Sequence, residues 1–188
     1  MPNLDNIISN LSSSHPGHHT LIYDLATLLT TTAPPFIHIH TPFAPQRTTA
    51  LVLATLRATH TRYAHLHGVE CLTARLMFDR VLAGLAGWKA SWDEGVGCVP
   101  FGGALYNTDF GAFVEGVRVV AAARGTGEDK VSEENPGGGM VVVLERAESL
   151  RVKELLVPLA KLAELVRWSN LAALFSEFCF SRCRAANA

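Results

Sequence analysis

Between an apolar strand-like run and a helix-like run, within the stretch from Pro35 to Leu56, stand Thr41-Pro42-Phe43-Ala44-Pro45-Gln46-Arg47-Thr48. A phosphate-binding loop belongs at such a junction. It reads G-x-x-x-x-G-K-[ST], because glycine lets backbone N–H groups close around phosphate oxygens, Lys adds positive charge, and the Ser or Thr hydroxyl holds Mg²⁺. Here Thr41 and Gln46 fill the two glycine positions, Arg47 stands for Lys, and only the terminal Thr48 is unchanged. Just upstream, His38 and His40 fall on one face of the strand run. Two imidazoles can ligate a metal, but no third ligand is fixed by spacing, so polar groups with hydrogen-bonding partners or water are the simpler reading. His60, His65 and His67 lie near the next strand without a geometry of their own. Cys98 reads as a spectator, and Cys179-x-x-x-Cys183 lacks two further ligands at zinc spacing, which favours free thiols.

The elements that position these residues follow from periodicity. Leu4, Ile7, Ile8 and Leu11 predict a short helix followed by a loop over 12–17. Leu21, Ile22, Leu25, Leu28 and Leu29 recur at helical spacing until Ala33-Pro34-Pro35 stops them. Phe36 to His40 alternates as a strand does. A mostly buried helix is expected from Thr48 to about Thr59, a short strand over Ala64–Val69, and a helix from Ala74 to Leu85 with Gly84 and Gly87 marking its end. Phe110, Phe113, Val114, Val117 and Val120 give another helix, up to Arg124. Met140 to Leu144 is an unbroken apolar run of the kind found in parallel strands covered on both faces, and it stops at Glu145. Leu150 to Trp168 reads as one helix kinked at Pro158, and Asn170 to Phe175 as a last strand ahead of Ser176-Glu177. Strands alternating with helices predict an α/β layered domain with a mainly parallel sheet.

A chain of 188 residues that is 48% hydrophobic can bury a real core. Sixteen Lys and Arg against 17 Asp and Glu leave a net charge of −1, which offers no broad attraction to nucleic acid. Four cysteines and no apolar N-terminal signal predict reduced thiols in an intracellular protein, and no apolar run approaches the roughly 18 residues of a membrane span. The chain divides into an N-terminal segment 1–17, a core 18–178 with glycine-rich surface insertions at 87–108 and 125–139, and an irregular tail 179–188. Within the first insertion, Trp88, Trp92, Phe101 and Tyr106 are candidate anchors.

Strand, phosphate-type loop, helix, strand, helix, an apolar strand ending in an acid and a later strand ending in a small polar residue is the plan of a P-loop ATPase core. Three stretches sharpen it: Gly68-Val69-Glu70-Cys71-Leu72-Thr73-Ala74-Arg75-Leu76, Val141-Val142-Val143-Leu144-Glu145-Arg146-Ala147-Glu148-Ser149-Leu150-Arg151, and Leu171-Ala172-Ala173-Leu174-Phe175-Ser176-Glu177. Over about residues 15 to 178 the chain resembles subunit 5 of the eukaryotic origin recognition complex, a relative of the AAA+ ATPases. The resemblance implies a three-layer αβα core whose mainly parallel sheet, ordered 5-1-4-3-2 in the family, lacks the fifth strand here, together with the helical lid. It places Thr41, Gln46, Arg47 and Thr48 on the phosphate-loop positions, Glu145 on the metal-associated acid, and Ser176 on the residue that senses the γ-phosphate. It also implies ATP and Mg²⁺ as ligands, other origin recognition complex subunits as partners, origin DNA reached through the complex, and a nuclear location with no membrane association.

Departures from the pattern bear on that chemistry. Pro42 and Pro45 have no N–H to donate, and Gln46 carries a Cβ where the backbone must come close to phosphate. Each hydrogen bond lost to a charged phosphate is worth roughly 1.5 to 3 kcal/mol, so losing two weakens binding about a hundredfold or more. Arg47 keeps the charge with a planar fork in place of a compact ammonium. Glu145 stands where Asp is usual, and Arg146 follows it in place of a carboxylate able to activate water. His18-His19 replace an Arg-Glu pair. The expectation is a non-catalytic subunit with weak or absent ATP binding. The alternative is an active P-loop ATPase or small kinase with an unusual loop. Arg146, Arg151 and Lys153 form a small basic cluster that direct DNA contact or a solvated helix start would explain.

Overall fold

The run Met140–Glu145 is an inner strand of a four-stranded parallel sheet in the computed structural model, which describes residues 4–31, 34–40, 45–87, 105–123, 139–166 and 171–177. In chain order the elements are α1 (Leu4–Ser14), α2 (His19–Thr30), β1 (Phe36–His40), α3 (Pro45–Ala58), β2 (Arg62–His67), α4 (Ala74–Ala86), α5 (Phe110–Ala122), β3 (Met140–Glu145), α6 (Leu156–Ala160), α7 (Leu162–Val166) and β4 (Leu171–Glu177). The strands lie in the order β1-β4-β3-β2. This is the expected α/β architecture, and among the described residues β1 and β2 are the two edges.

Alternation along each strand divides the core into two layers. Met140, Val142, Leu144, Leu171, Ala173, Phe175, Ala64 and Leu66 face a cluster with Phe78, Leu82, Phe113, Val117 and Leu162, drawn from α4, α5 and α7. Val141, Val143, Ala172, Leu174 and Ile39 face the other way, onto Leu25 of α2 and Val52 and Leu56 of α3. A third cluster of Ile8, Ile22, Ala26 and Leu51 fastens α1 to that second layer. Every residue from Met140 to Leu144 is at most 1% exposed, which is the cost-free arrangement for an apolar run covered on both faces.

Several boundaries differ from the periodicity reading, each for a local reason. Helix α1 runs on to Ser14, because Ser13 and Ser14 hydroxyls donate to the Asn10 carbonyl at 2.8 and 3.1 Å and satisfy it as the helix ends. Helix α3 begins at Pro45, three residues early, where proline's fixed φ suits a first turn that needs no N–H. Strand β2 sits two residues early because the chain turns at Gly68, whose N–H donates to the Glu145 carbonyl at 2.8 Å. Gly84 does not end α4. The helix passes through it and closes at Gly87, which takes the left-handed conformation with φ 71°.

The largest correction lies after β3. No single helix spans 150–168: 3₁₀ turns at Ala147–Ser149 and Lys153–Leu155 precede two short helices, α6 and α7. Arg146 adopts a left-handed conformation (φ 56°), which swings the chain off the strand, and Pro158 removes a donor that a continuous helix would need. Trp88, Trp92, Phe101, Cys98, Cys179 and Cys183 fall outside the described residues, as do 88–104 and 125–138 of the two insertions and Arg124 at the end of the expected helix. Tyr106 and Asn107, which are described, turn inward: Tyr106 packs against the first cluster, and Asn107 is buried and donates from Nδ2 to Asp79 Oδ1 at 2.7 Å. Cys71 is a buried free thiol. No helix of the described residues is long and apolar enough to cross a membrane.

Candidate functional site

Parallel strands send all their C-terminal ends to one edge of the sheet, the edge at which open α/β folds take ligands. Strand β1 delivers the phosphate-loop segment there. Thr41 lies outside the described residues, and the next described element is the first turn of α3. In that turn Gln46 and Arg47 are exposed, whereas Thr48 is only 4% exposed. A helix start presents N–H groups and the positive end of its dipole, but Pro45 contributes no donor. Thr49 follows with its Oγ1 buried and unpartnered among the described residues.

Register brings the remaining positions to the same edge. Ser176 on β4 pairs with Ile39 on β1 on one side and with Glu145 on β3 on the other. Glu145 shares strand parity with Val141 and Val143, so it belongs to the face covered by α3. The backbone register therefore brings Ser176 and Glu145 to the C-terminal edge of the sheet.

The Glu145 side chain has a partner that periodicity did not identify. Its Oε2 lies 3.0 Å from His65 Nε2 on β2, with side-chain exposures of 12% for Glu145 and 33% for His65. A carboxylate only accepts, so the imidazole donates from Nε2. The register places His67 opposite Glu145 and His65 opposite Val143, making the contact a diagonal one across the β2–β3 pair. The signal in the sequence was the alternation Tyr63, His65, His67, which puts both histidines on the Glu145 face once β2 is taken as 62–67.

Around this acid the backbone is tightly set. A Cβ at Gly68 would come within 2.3 Å of the Arg146 carbonyl oxygen, so the turns after β2 and β3 meet where only glycine fits. Arg146 Nε lies 3.5 Å from Glu148 Oε1, and Arg151 and Lys153 are exposed beyond it. On the adjoining turn Glu70 pairs with Arg80, and that hydrogen bond and charge hold its carboxyl below the usual range. His38 and His40 are exposed on the opposite face of β1 from Ile39. Among the described residues no group of three or more His, Cys, Asp and Glu is placed to hold a metal ion.

No protein-family model matches the chain, and no curated protein matches it. Solved structures do. A chain in the structure of Drosophila ORC bound to DNA superposes with a TM-score of 0.66 at 24% identity, over 93% of this chain. The chain spans 41% of that chain's length. At this level of identity the likeness is one of fold, and the fold that this chain shares with a chain of Drosophila ORC is the parallel α/β core described above.

Proposed function

We propose that the protein is a non-catalytic, AAA+ related subunit of the origin recognition complex, similar to subunit 5, that acts in the initiation of DNA replication by assembling with the other subunits. The observation that carries this reading is the convergence of two of the motif positions on one sheet edge. Glu145 and Ser176 lie at the sheet edge beside which α3 begins, in a fold shared with a chain of Drosophila ORC, and the resemblance assigns these positions to a nucleotide site, while Pro45 and Gln46 lack what phosphate needs. Binding of ATP with Mg²⁺ is accordingly weak or lost, and no hydrolysis follows from these residues. The protein acts in the nucleus, and it reaches origin DNA through its partners.

Two measurements test the proposal. A tagged chain expressed in cells recovers other origin recognition complex subunits from nuclear extract; recovery of none of them would overturn the assembly reading. In calorimetric titration of the purified chain with Mg·ATP, no low-micromolar binding is expected, since the missing donors remove at least about a hundredfold of affinity. A low-micromolar Kd would return the protein to the class of working P-loop ATPases or kinases.

A further inference from the structure

The fold implies a metal-associated acid at Glu145, and the geometry around Glu145 does not fit that task. Two features decide it. The first is direction. In the sheet order β1-β4-β3-β2, β1 lies on one side of β3, two strand spacings or roughly 10 Å away, whereas His65 lies on β2, on the other side of β3. The bond to His65 therefore draws the carboxylate away from β1. The second is occupancy. A donor N–H on Oε2 presents partial positive charge at one of the two oxygens a cation would use, and the half-buried pair leaves Glu145 little open surface, with 12% of its side chain exposed.

From this we infer that Glu145 is a strand tie: its carboxylate clamps the edge strand β2 to β3 through His65 Nε2, and it does not hold Mg²⁺. The inference rests on the proposed descent from a nucleotide site and says what became of its acid. Length is what makes the tie possible. The extra methylene of Glu over Asp, about 1.5 Å, is what lets the carboxylate reach diagonally to the neighbouring strand. The pair joins the C-terminal ends of β2 and β3, where Gly68 N–H also reaches the Glu145 carbonyl, so side chain and backbone fix the same corner.

A double-mutant cycle in urea, with Glu145→Ala, His65→Ala and the double variant, tests this. The folding equilibrium constant of the double variant is expected to exceed the product of the single effects by about fivefold, the range of a direct contact. Strict additivity would overturn the tie. In the same experiment 10 mM MgCl₂ leaves the wild-type midpoint unchanged; a Mg²⁺-dependent rise that disappears in Glu145→Ala would make the acid a metal ligand after all. Glu145→Asp is expected to behave as Glu145→Ala does, and retention of the coupling by Asp would overturn the length argument. Should the single variants fail to fold, the tautomer of His65 in ¹⁵N-histidine-labelled wild type decides: hydrogen on Nε2 supports the tie, and hydrogen on Nδ1 alone removes it. None of these readouts depends on partner recovery, so the tie and the assembly reading fail separately.

Discussion

An added Cβ at Gly84 would lie 2.7 Å from Ala64 Cβ and 2.8 Å from Ala64 Cα, inside the contact between α4 and β2. Neither atom is the end of a flexible side chain, so the helix itself has to lift. Gly84→Ala gains about 0.5 to 1 kcal/mol of helix propensity and loses roughly 1 to 3 kcal/mol to overpacking. The net expectation is a loss of stability of about 1 to 2 kcal/mol, read as a lower urea midpoint; a gain would mean that α4 rides higher on the sheet than described. No local pattern signals this. A glycine near a helix end reads as a terminator, and only the packing of α4 on β2 reveals that Gly87 ends the helix while Gly84 permits close approach. The His65–Glu145 bond was hidden for a related reason. Each residue was visible as a polar group on a strand, but their meeting depends on the β2–β3 register, which no local pattern encodes.

Caps decide where the helices beside the site begin, and they were legible only in part. Thr73 Oγ1 accepts from Leu76 N–H at 3.3 Å at the start of α4, and Asp109 Oδ1 accepts from Ala112 N–H at 2.9 Å at the start of α5. The backbone hydrogen bond from Ala112 holds the Asp109 carboxyl below its usual range. A depressed folded pKa means stability that is present above the unfolded value and lost as pH falls through the folded one. Asp109→Ala is therefore expected to lower the unfolding midpoint at pH 7, and the difference from wild type shrinks as pH drops below about 4. Thr73→Ala supplies the control: it costs about 1 kcal/mol with no such pH dependence. Equal pH profiles for the two variants would sink the assignment of the Asp109 carboxylate as a cap. Apolar periodicity starts α3 at Thr48, whereas Pro45 suits the first helical turn and the helix begins there. The segment after β3 misled more, since Leu150 to Trp168 keeps a helical apolar spacing that Arg146 and Pro158 break into pieces.

At the scale of the whole molecule, the sheet separates two clusters, and β3 and β4 carry the burden of joining them. Their legibility differed from that of the edges. Met140 to Leu144 announces an inner strand by composition, but the order β1-β4-β3-β2 is long-range pairing that periodicity cannot supply; it was implied only by the resemblance. Strand β1 is partnered by β4 alone among the described residues, and its Phe36 is 38% exposed. Edge strands with unpaired N–H and C=O groups open more readily than inner ones and invite pairing by another chain. Amide hydrogen exchange of the isolated chain should then rank the sheet. Val141, Val142 and Val143 with Ala172, Ala173 and Leu174 exchange only through global unfolding, and the outward amides of β1 exchange by local opening, faster by orders of magnitude. If those β1 amides instead match β3 in the isolated chain at low concentration, something already covers the edge, and dilution tells which: protection that falls with concentration belongs to a second copy, and protection that does not belongs to the chain itself.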